Sequence, residues 1–408
     1  MAETFRSLED VAPPRMGLVS LFLRFLSFGI RAFGGPVAQI AMIRRELVER
    51  EQWISSARFN RLLAVMQALP GPEAHELCVH LGMRARGRIG GLLAGLGFML
   101  PGLVLMLALG WFYFLIDWGE PRLASALPGV QAGVVGLVLC AVPRIGRHVM
   151  TSRWLIALGV GAAFASLLGV NFWIILIAAG AAHGLVGLGR PRAALVVIAL
   201  AAIFGAVFVR MSDDSLGQVS QGLAASGPGQ ADLLLLFASG LKAGLLTFGG
   251  AYTAIPLVRQ DAIGRGWMSD GQFLDGLALS GVLPAPLIIF TTFVGYVAGG
   301  FSGALAMTVG VFLPAFAFSM IFYDRLEAVV DDRRLRALLD GVAAGAVGLI
   351  AATAAQLAFG LYQGRETGWP LLAVALIAAV AAWRWRSGWA LPVILVAAGM
   401  AGLGLETS

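Results

Sequence analysis

Lysine is almost missing from this chain of 408 residues: Lys242 is the one copy, and arginine supplies every other basic side chain. Charged residues of both signs make up only 13% of the sequence, against 59% hydrophobic residues and a mean hydropathy of +0.84. That balance excludes a soluble domain, which could not hide so much apolar surface inside itself, and indicates a polytopic membrane protein. The two cysteines, Cys78 and Cys140, both lie in apolar runs and form no framework, so no disulfide is expected. No small-residue cleavage site accompanies the first apolar run, which itself contains arginine, so no signal peptide is read there. The basic residues are dispersed in short loops rather than gathered on one module, which argues against nucleic acid as a partner.

What is present is long apolar runs, and they are continuous rather than alternating, which selects helices over barrel strands. About thirteen such runs can be read, and the expected fold is all-α. The runs also repeat. Phe33-Gly34-Gly35-Pro36 is answered by Phe248-Gly249-Gly250-Ala251, Leu69-Pro70-Gly71-Pro72 by Leu283-Pro284-Ala285-Pro286, and Leu100-Pro101 by Leu313-Pro314. Gly129 and Gly133 recur as Gly341 and Gly345, a spacing that lets helices approach closely. Two apolar halves broken by Gly and Pro at corresponding places form the pattern of a secondary transporter.

The repeat pairs the first six runs with the last six and leaves the run at 193–209 unpaired. The expected organisation is an N-terminal repeat over 1–190, a connector over 191–231 and a C-terminal repeat over 232–408. One odd crossing turns the second half upside down, giving inverted-topology halves with broken helices. Loop charge agrees: with the N-terminus cytoplasmic, eighteen arginines fall inside and eight outside. The segment 37–57 fits poorly, because it is assigned outside yet holds Arg44, Arg45 and Arg50. A re-entrant piece and an interfacial helix both remain open for it and for its repeat, 251–270.

Buried charge marks the candidate site. Arg24 and Arg31 are seven residues apart in the first run, within about 20° on a helix, with Ser27 on the same stripe. Each arginine at depth costs about 2.5–3.5 kcal/mol, so a polar cavity or an acidic partner is expected beside them. Lys242 stands at the repeat position of Ser27. The breaks at Gly34-Gly35 and Gly249-Gly250 free backbone N–H groups that favour an anion, with Pro36 suited to the first turn of the helix that follows. Arg31, Lys242, Arg24, Ser27, Gly34, Gly35, Gly249 and Gly250 are therefore the candidate substrate-binding residues, framing one anion site near the midplane. Glu73, His75 and Glu76 follow the second break of the first half only and are the candidates for proton coupling. The competing reading pairs Glu73 or Glu76 with an arginine such as Arg31. His75 and His80 are five residues apart, which turns them away from a shared metal, and no metal or other cofactor is expected.

The motifs Phe33-Gly34-Gly35-Pro36, Arg44…Val48…Trp53, Leu69-Pro70-Gly71-Pro72-Glu73 and Leu81-Gly82…Gly87…Gly90, repeated through Phe248-Gly249-Gly250 and Trp267, resemble the chromate ion transporter family in its long-chain, two-domain form. The resemblance implies a multi-pass protein of the bacterial inner membrane, contacting lipid, that exports the chromate dianion. A sulfate-like oxyanion is the alternative substrate, and a homodimer stays open as an assembly. Ala285 departs from the family pattern, since the first copy has Gly71 there. An intramembrane hydrolase built on Ser280 with His75 or His80 is the reading from another class, but no flanking pattern supports it.

Overall fold

The computed structural model describes residues 13–14, 16–33, 35–68, 71–115, 121–223, 231–247, 251–321, 333–362, 368–385 and 389–406, and among them regular structure is helical throughout. A backbone in lipid has to satisfy its polar groups within itself, and helices do so. The first half contains α1 (Leu18–Ile30), α2 (Gly35–Arg44), a π-helical turn Arg45–Arg50, α3 (Ser56–Ala68), α4 (Glu73–Leu115), α5 (Pro121–Val149), α6 (Arg153–Leu167) and α7 (Phe172–Gly187). After α8 (Pro191–Leu223) come α9 (Leu233–Leu245), α10 (Ala254–Gly264), α11 (Asp270–Val282), α12 (Phe290–Ile321), α13 (Arg333–Tyr362), α14 (Gly368–Arg384) and α15 (Ala390–Glu406).

Among the described residues four stretches are long and apolar enough to cross a membrane: Glu73–Tyr113, Ala126–Val149, Leu287–Ile321 and Ala337–Tyr362. The protein is thus a polytopic α-helical membrane protein. By contrast α1, α3, α9 and α11 each have 13 residues, a length of about 20 Å against a hydrocarbon core of about 30 Å. The expected count of thirteen crossings does not follow from such lengths.

Two of the long helices, α4 and α12, each fold back on themselves. In α4 the backbone turns at Arg86 and at Gly87 (φ 61°, ψ −157°), and in α12 at Gly299 and at Gly300 (φ 65°, ψ −154°). The positive φ at the second position is where glycine is needed. Their legs then pack antiparallel at glycine contacts: a Cβ at Gly82 would lie 2.5 Å from the Gly90 carbonyl oxygen, and one at Gly295 2.5 Å from that of Gly303.

The short helices lie along the second legs. Leu21 reaches Gly90, and a Cβ on Gly29 would meet Pro101 Cγ at 3.0 Å, so α1 runs parallel to 88–115 and stops about halfway. In the second half a Cβ on Gly244 of α9 would meet Pro314 Cγ at the same 3.0 Å. After Gly35 the chain reverses, and α2 with its π-turn comes back along α1 until Trp53, fully buried, packs on Phe25 with ring centroids 6.2 Å apart. The segment 37–57 therefore lies against α1 as the return arm of a helical hairpin. Its repeat, 251–270, returns along α9 and ends in buried Trp267.

The halves are interlocked rather than side by side. The long α5 packs with α14 and α15, and α13 packs with α6 and α7. A Cβ on Gly136 of α5 would sit 2.8 Å from that of Ala378 in α14, and one on Gly348 of α13 2.8 Å from that of Ala162 in α6. Gly129 and Gly133 face α15, while Gly341 and Gly345 face α7, as the spacing predicts.

Candidate anion site

The reversal after α1 brings acids onto the arginine stripe. Glu46, in the π-turn, pairs with Arg24 at 3.5 Å, Arg31 at 3.8 Å and Arg50 at 3.2 Å, while Glu51 pairs with Arg24 as well. Arg31 Nε donates to the Ser27 carbonyl at 3.1 Å, so on that stripe Ser27 acts through its backbone. Both guanidinium groups lie over Phe28, 4.9 Å and 5.5 Å from its centroid. In the second half Lys242 pairs with Asp261, whose carboxylate also accepts from the Ser239 hydroxyl at 2.6 Å, and the ammonium sits 5.0 Å from the Phe172 ring centre. Arg31 is 47% exposed and Lys242 18%, so the two halves hold their cations at different depths.

Glu46 and Asp261 are repeat equivalents, 215 residues apart as Phe33 and Phe248 are. Sequence reasoning singled out the cations and passed over these acids, although an acid recurring at the same register was a usable signal. Arg31 pairs with Glu46, and Glu76 makes no ion pair among the described residues. Among the described residues no acid pairs with both Lys242 and the arginines: Glu46 and Glu51 serve Arg24 and Arg31, Asp261 serves Lys242, and each half builds its own cation–acid cluster.

Between the clusters the four breaks meet. Gly71 N–H donates to the Thr247 carbonyl at 2.8 Å. The Gln39 amide donates to the Ala32 carbonyl at 2.9 Å and to that of Ala285 at 2.8 Å. Ala32 and Thr247 end the first break of each half on its near side, and Gly71 and Ala285 occupy the second breaks. Each half's first break is thus tied to the other half's second, through a backbone bond on one side and through Gln39 on the other. The two crossings differ because Gly71 adopts φ +148°, which its repeat Ala285 does not share.

Glu76 stands at this crossing. It is fully buried, neither of its carboxyl oxygens has a hydrogen-bond partner among the described residues, and its Oε1 occupies the space where any side chain added at Gly71 would begin. His75, also fully buried, packs on Phe312 and Phe316 of α12 with ring centroids 4.9 Å and 4.7 Å apart. Glu73 begins α4 beside them and is 6% exposed. Gly35 takes φ +77° with open space around its missing Cβ. Gly34, Gly249 and Gly250 lie outside the described residues. Ser280 gives its hydroxyl to the Leu277 carbonyl at 2.7 Å, which leaves the hydrolase reading without an activated nucleophile.

A family model described as Chromate transporter matches residues 19–185 and 234–403, which contain both cation clusters and the whole crossing. The chain belongs to the chromate transporter family. It is 58% identical over 397 residues to the chromate transport protein of Pseudomonas aeruginosa, covering 96% of this chain and 94% of that one. It is 28% identical over 402 residues to a probable chromate transport protein of Synechococcus elongatus, covering 96% of each. With the chromate transport protein of Cupriavidus metallidurans it shares 29% identity over 347 residues, 83% of this chain and 82% of the other. No solved structure matches the chain. Membership makes it a transmembrane transporter and not an enzyme, as the resemblance implied.

Proposed function

We propose that the protein exports chromate from the bacterial cytoplasm, with the crossing of broken helices as the place the dianion passes and the flanking cation–acid pairs as its docking points. One observation carries the reading: four breaks from two halves converge at one buried junction, with paired cations beside it in each half. The cations are paired with acids in the structure, so binding is an exchange in which the dianion displaces Glu46 from Arg24 and Arg31, or Asp261 from Lys242. A dianion stripped of water needs such compensation. Glu76 links the site to a proton, because a carboxylate and a dianion repel each other at this junction and the carboxyl is neutral when the anion occupies it. Moving the dianion out of a negative interior is favoured by about 4.6 kcal/mol per 100 mV, twice the single-charge value, so the potential can drive export.

The membrane arrangement we infer has nine full crossings: the second legs of α4 and α12, together with α5, α6, α7, α8, α13, α14 and α15. In each half α1 with α2, and α3 with the first leg of α4 (or their repeats), form two hairpins that enter to half depth. The unpaired α8 inverts the second set relative to the first. Placing 37–61 on the cytoplasmic side and 251–270 on the opposite side supports this, since eighteen arginines inside against eight outside becomes twenty-one against five. Arg50 and Arg265 both stand exposed at the end of the return arm of their half. In Arg50→Cys an impermeant thiol reagent is expected to label only from the cytoplasmic side, and in Arg265→Cys only from the periplasmic side. Labelling of both from the same side would remove the inversion.

The transport reading is tested in cells by Arg31→Gln and Arg31→Lys. The first is expected to lower chromate efflux at least about tenfold with the protein still in the membrane, and the second to lower it less, because lysine keeps the charge but loses the planar fork. Wild-type efflux from Arg31→Gln would return Arg31 to the role of an interfacial charge. Sulfate in excess is the competitor that separates chromate from the sulfate-like alternative.

A further inference from the structure

Another buried carboxylate lies apart from the crossing, near the middle of α11. Asp275 is 5% exposed and belongs to the second half, yet both of its hydrogen-bond donors come from the first. Tyr113, near the end of α4, donates its hydroxyl to Oδ2 at 2.7 Å, and Gln131 of α5 donates its amide to Oδ1 at 3.0 Å. The Tyr113 ring is wedged edge-on against Phe293 of α12, 5.1 Å between centroids, so the hydroxyl is aimed rather than free to swing. The cluster has no counterpart in the other half, where the repeat positions of Asp275 and Gln131 are held by Arg61 and Ala343.

Among the described residues no cation pairs with Asp275. Of the groups on the elements packed around α11, Arg259 of α10 bonds Asp270 and Gln356, and Asp261 of α10 is paired with Lys242. Tyr296 of α12 stacks on Phe114, and α15 carries no charge over 390–405. On α5 the cation after Gln131 is Arg144, which bonds the Ala382 carbonyl. Among the described residues Asp275 is therefore held by two neutral donors across the boundary between the halves. Those bonds are strong while the carboxylate is ionised and weaken when it takes a proton. The same helix runs from Asp275 to Val282, about 10 Å along its axis, and then enters the break where Ala285 accepts from Gln39. Movement of α11 at Asp275 is thus delivered along the helix to the crossing.

We propose that Asp275 is a proton-binding residue, and that Tyr113 and Gln131 hold α11 against the first half only while Asp275 is ionised. Protonation releases α11 and lets the crossing rearrange. The inference rests on the transport reading, and its test has one readout that needs no transport. In purified protein, infrared difference spectra on acidification are expected to show a carboxyl band that is absent from Asp275→Asn. In proteoliposomes, wild-type chromate flux is expected to fall with rising pH, by up to about tenfold per unit beyond the midpoint of one titrating group, whereas Asp275→Asn holds the acid-side rate. Variant and wild type are compared at each pH because chromate itself takes up a proton near neutrality. Tyr113→Phe removes a donor from the ionised form, so its midpoint is expected to rise by up to about one pH unit in both readouts. That variant also decides the question should Asp275→Asn fail to assemble. An unchanged carboxyl band in Asp275→Asn, a wild-type pH response in its flux, or an unmoved midpoint in Tyr113→Phe would overturn the proposal. A structural role alone would lower the rate equally at every pH.

Discussion

Lys242→Gln is expected to abolish chromate transport while leaving the protein in the membrane, and Asp261→Asn is expected to do nearly the reverse. Lys242 and Asp261 are 18% and 11% exposed, and they face one another with the Ser239 hydroxyl as the third member. Removing the ammonium leaves a carboxylate that keeps the Ser239 bond, can accept from the new amide, or can take a proton. The fold survives, but the dianion has lost its counter-charge. Removing the carboxylate leaves an ammonium beside Phe172 with no anion, and breaking a buried pair from one side costs about 3–5 kcal/mol. Glu46→Gln is expected to cost less, about 1 kcal/mol, because Arg24 keeps Glu51. Membrane-fraction yield and thermal unfolding in detergent measure the stabilities, and chromate efflux measures the function. Equal losses in Glu46→Gln and Asp261→Asn would contradict the compensation of Glu46 by Glu51.

The second large effect is at the crossing. Gly71→Ala is expected to eliminate transport, whereas Ala285→Gly is expected to retain it. At Gly71 the backbone takes φ +148°, a region L side chains rarely adopt, and the added Cβ would fall on Glu76 Oε1. Relief requires moving Glu76 or giving up the Gly71 bond to Thr247, and either change disrupts the junction. Ala285 already carries a Cβ in an unstrained backbone, so glycine there adds only chain freedom, about 0.5–1 kcal/mol. Efflux rates of the two variants at matched protein levels check the asymmetry. A functional Gly71→Ala would show that the crossing tolerates displacement of Glu76.

Much of this was legible in the sequence, because Gly and Pro punctuate an apolar chain clearly. The duplication and the breaks at 33–36, 69–72 and 283–286 follow from composition, and Pro36 indeed stands in the first turn of α2. Depth was not legible. Hydropathy does not separate a helix that crosses from two that meet halfway, and the apolar run over 59–81 is in fact the end of α3, a break and the first leg of α4. The charges of 44–51 signal exposure when read along the chain, yet Glu46 and Glu51 are spent on Arg24 and Arg31 of the neighbouring helix. Gln39 gave no signal, being a lone amide whose two acceptors are set by the fold. Asp275 was equally silent, since its partners are 162 and 144 residues away.

Labelled chromate flux in proteoliposomes of known orientation, with the potential and the pH gradient clamped separately, tests the central claim most directly. Chromate is expected to move from the cytoplasmic to the periplasmic face, faster when the cytoplasmic side is negative, and not at all through Lys242→Gln. Correctly oriented wild-type protein that carries no chromate, or wild-type flux through Lys242→Gln, would contradict it.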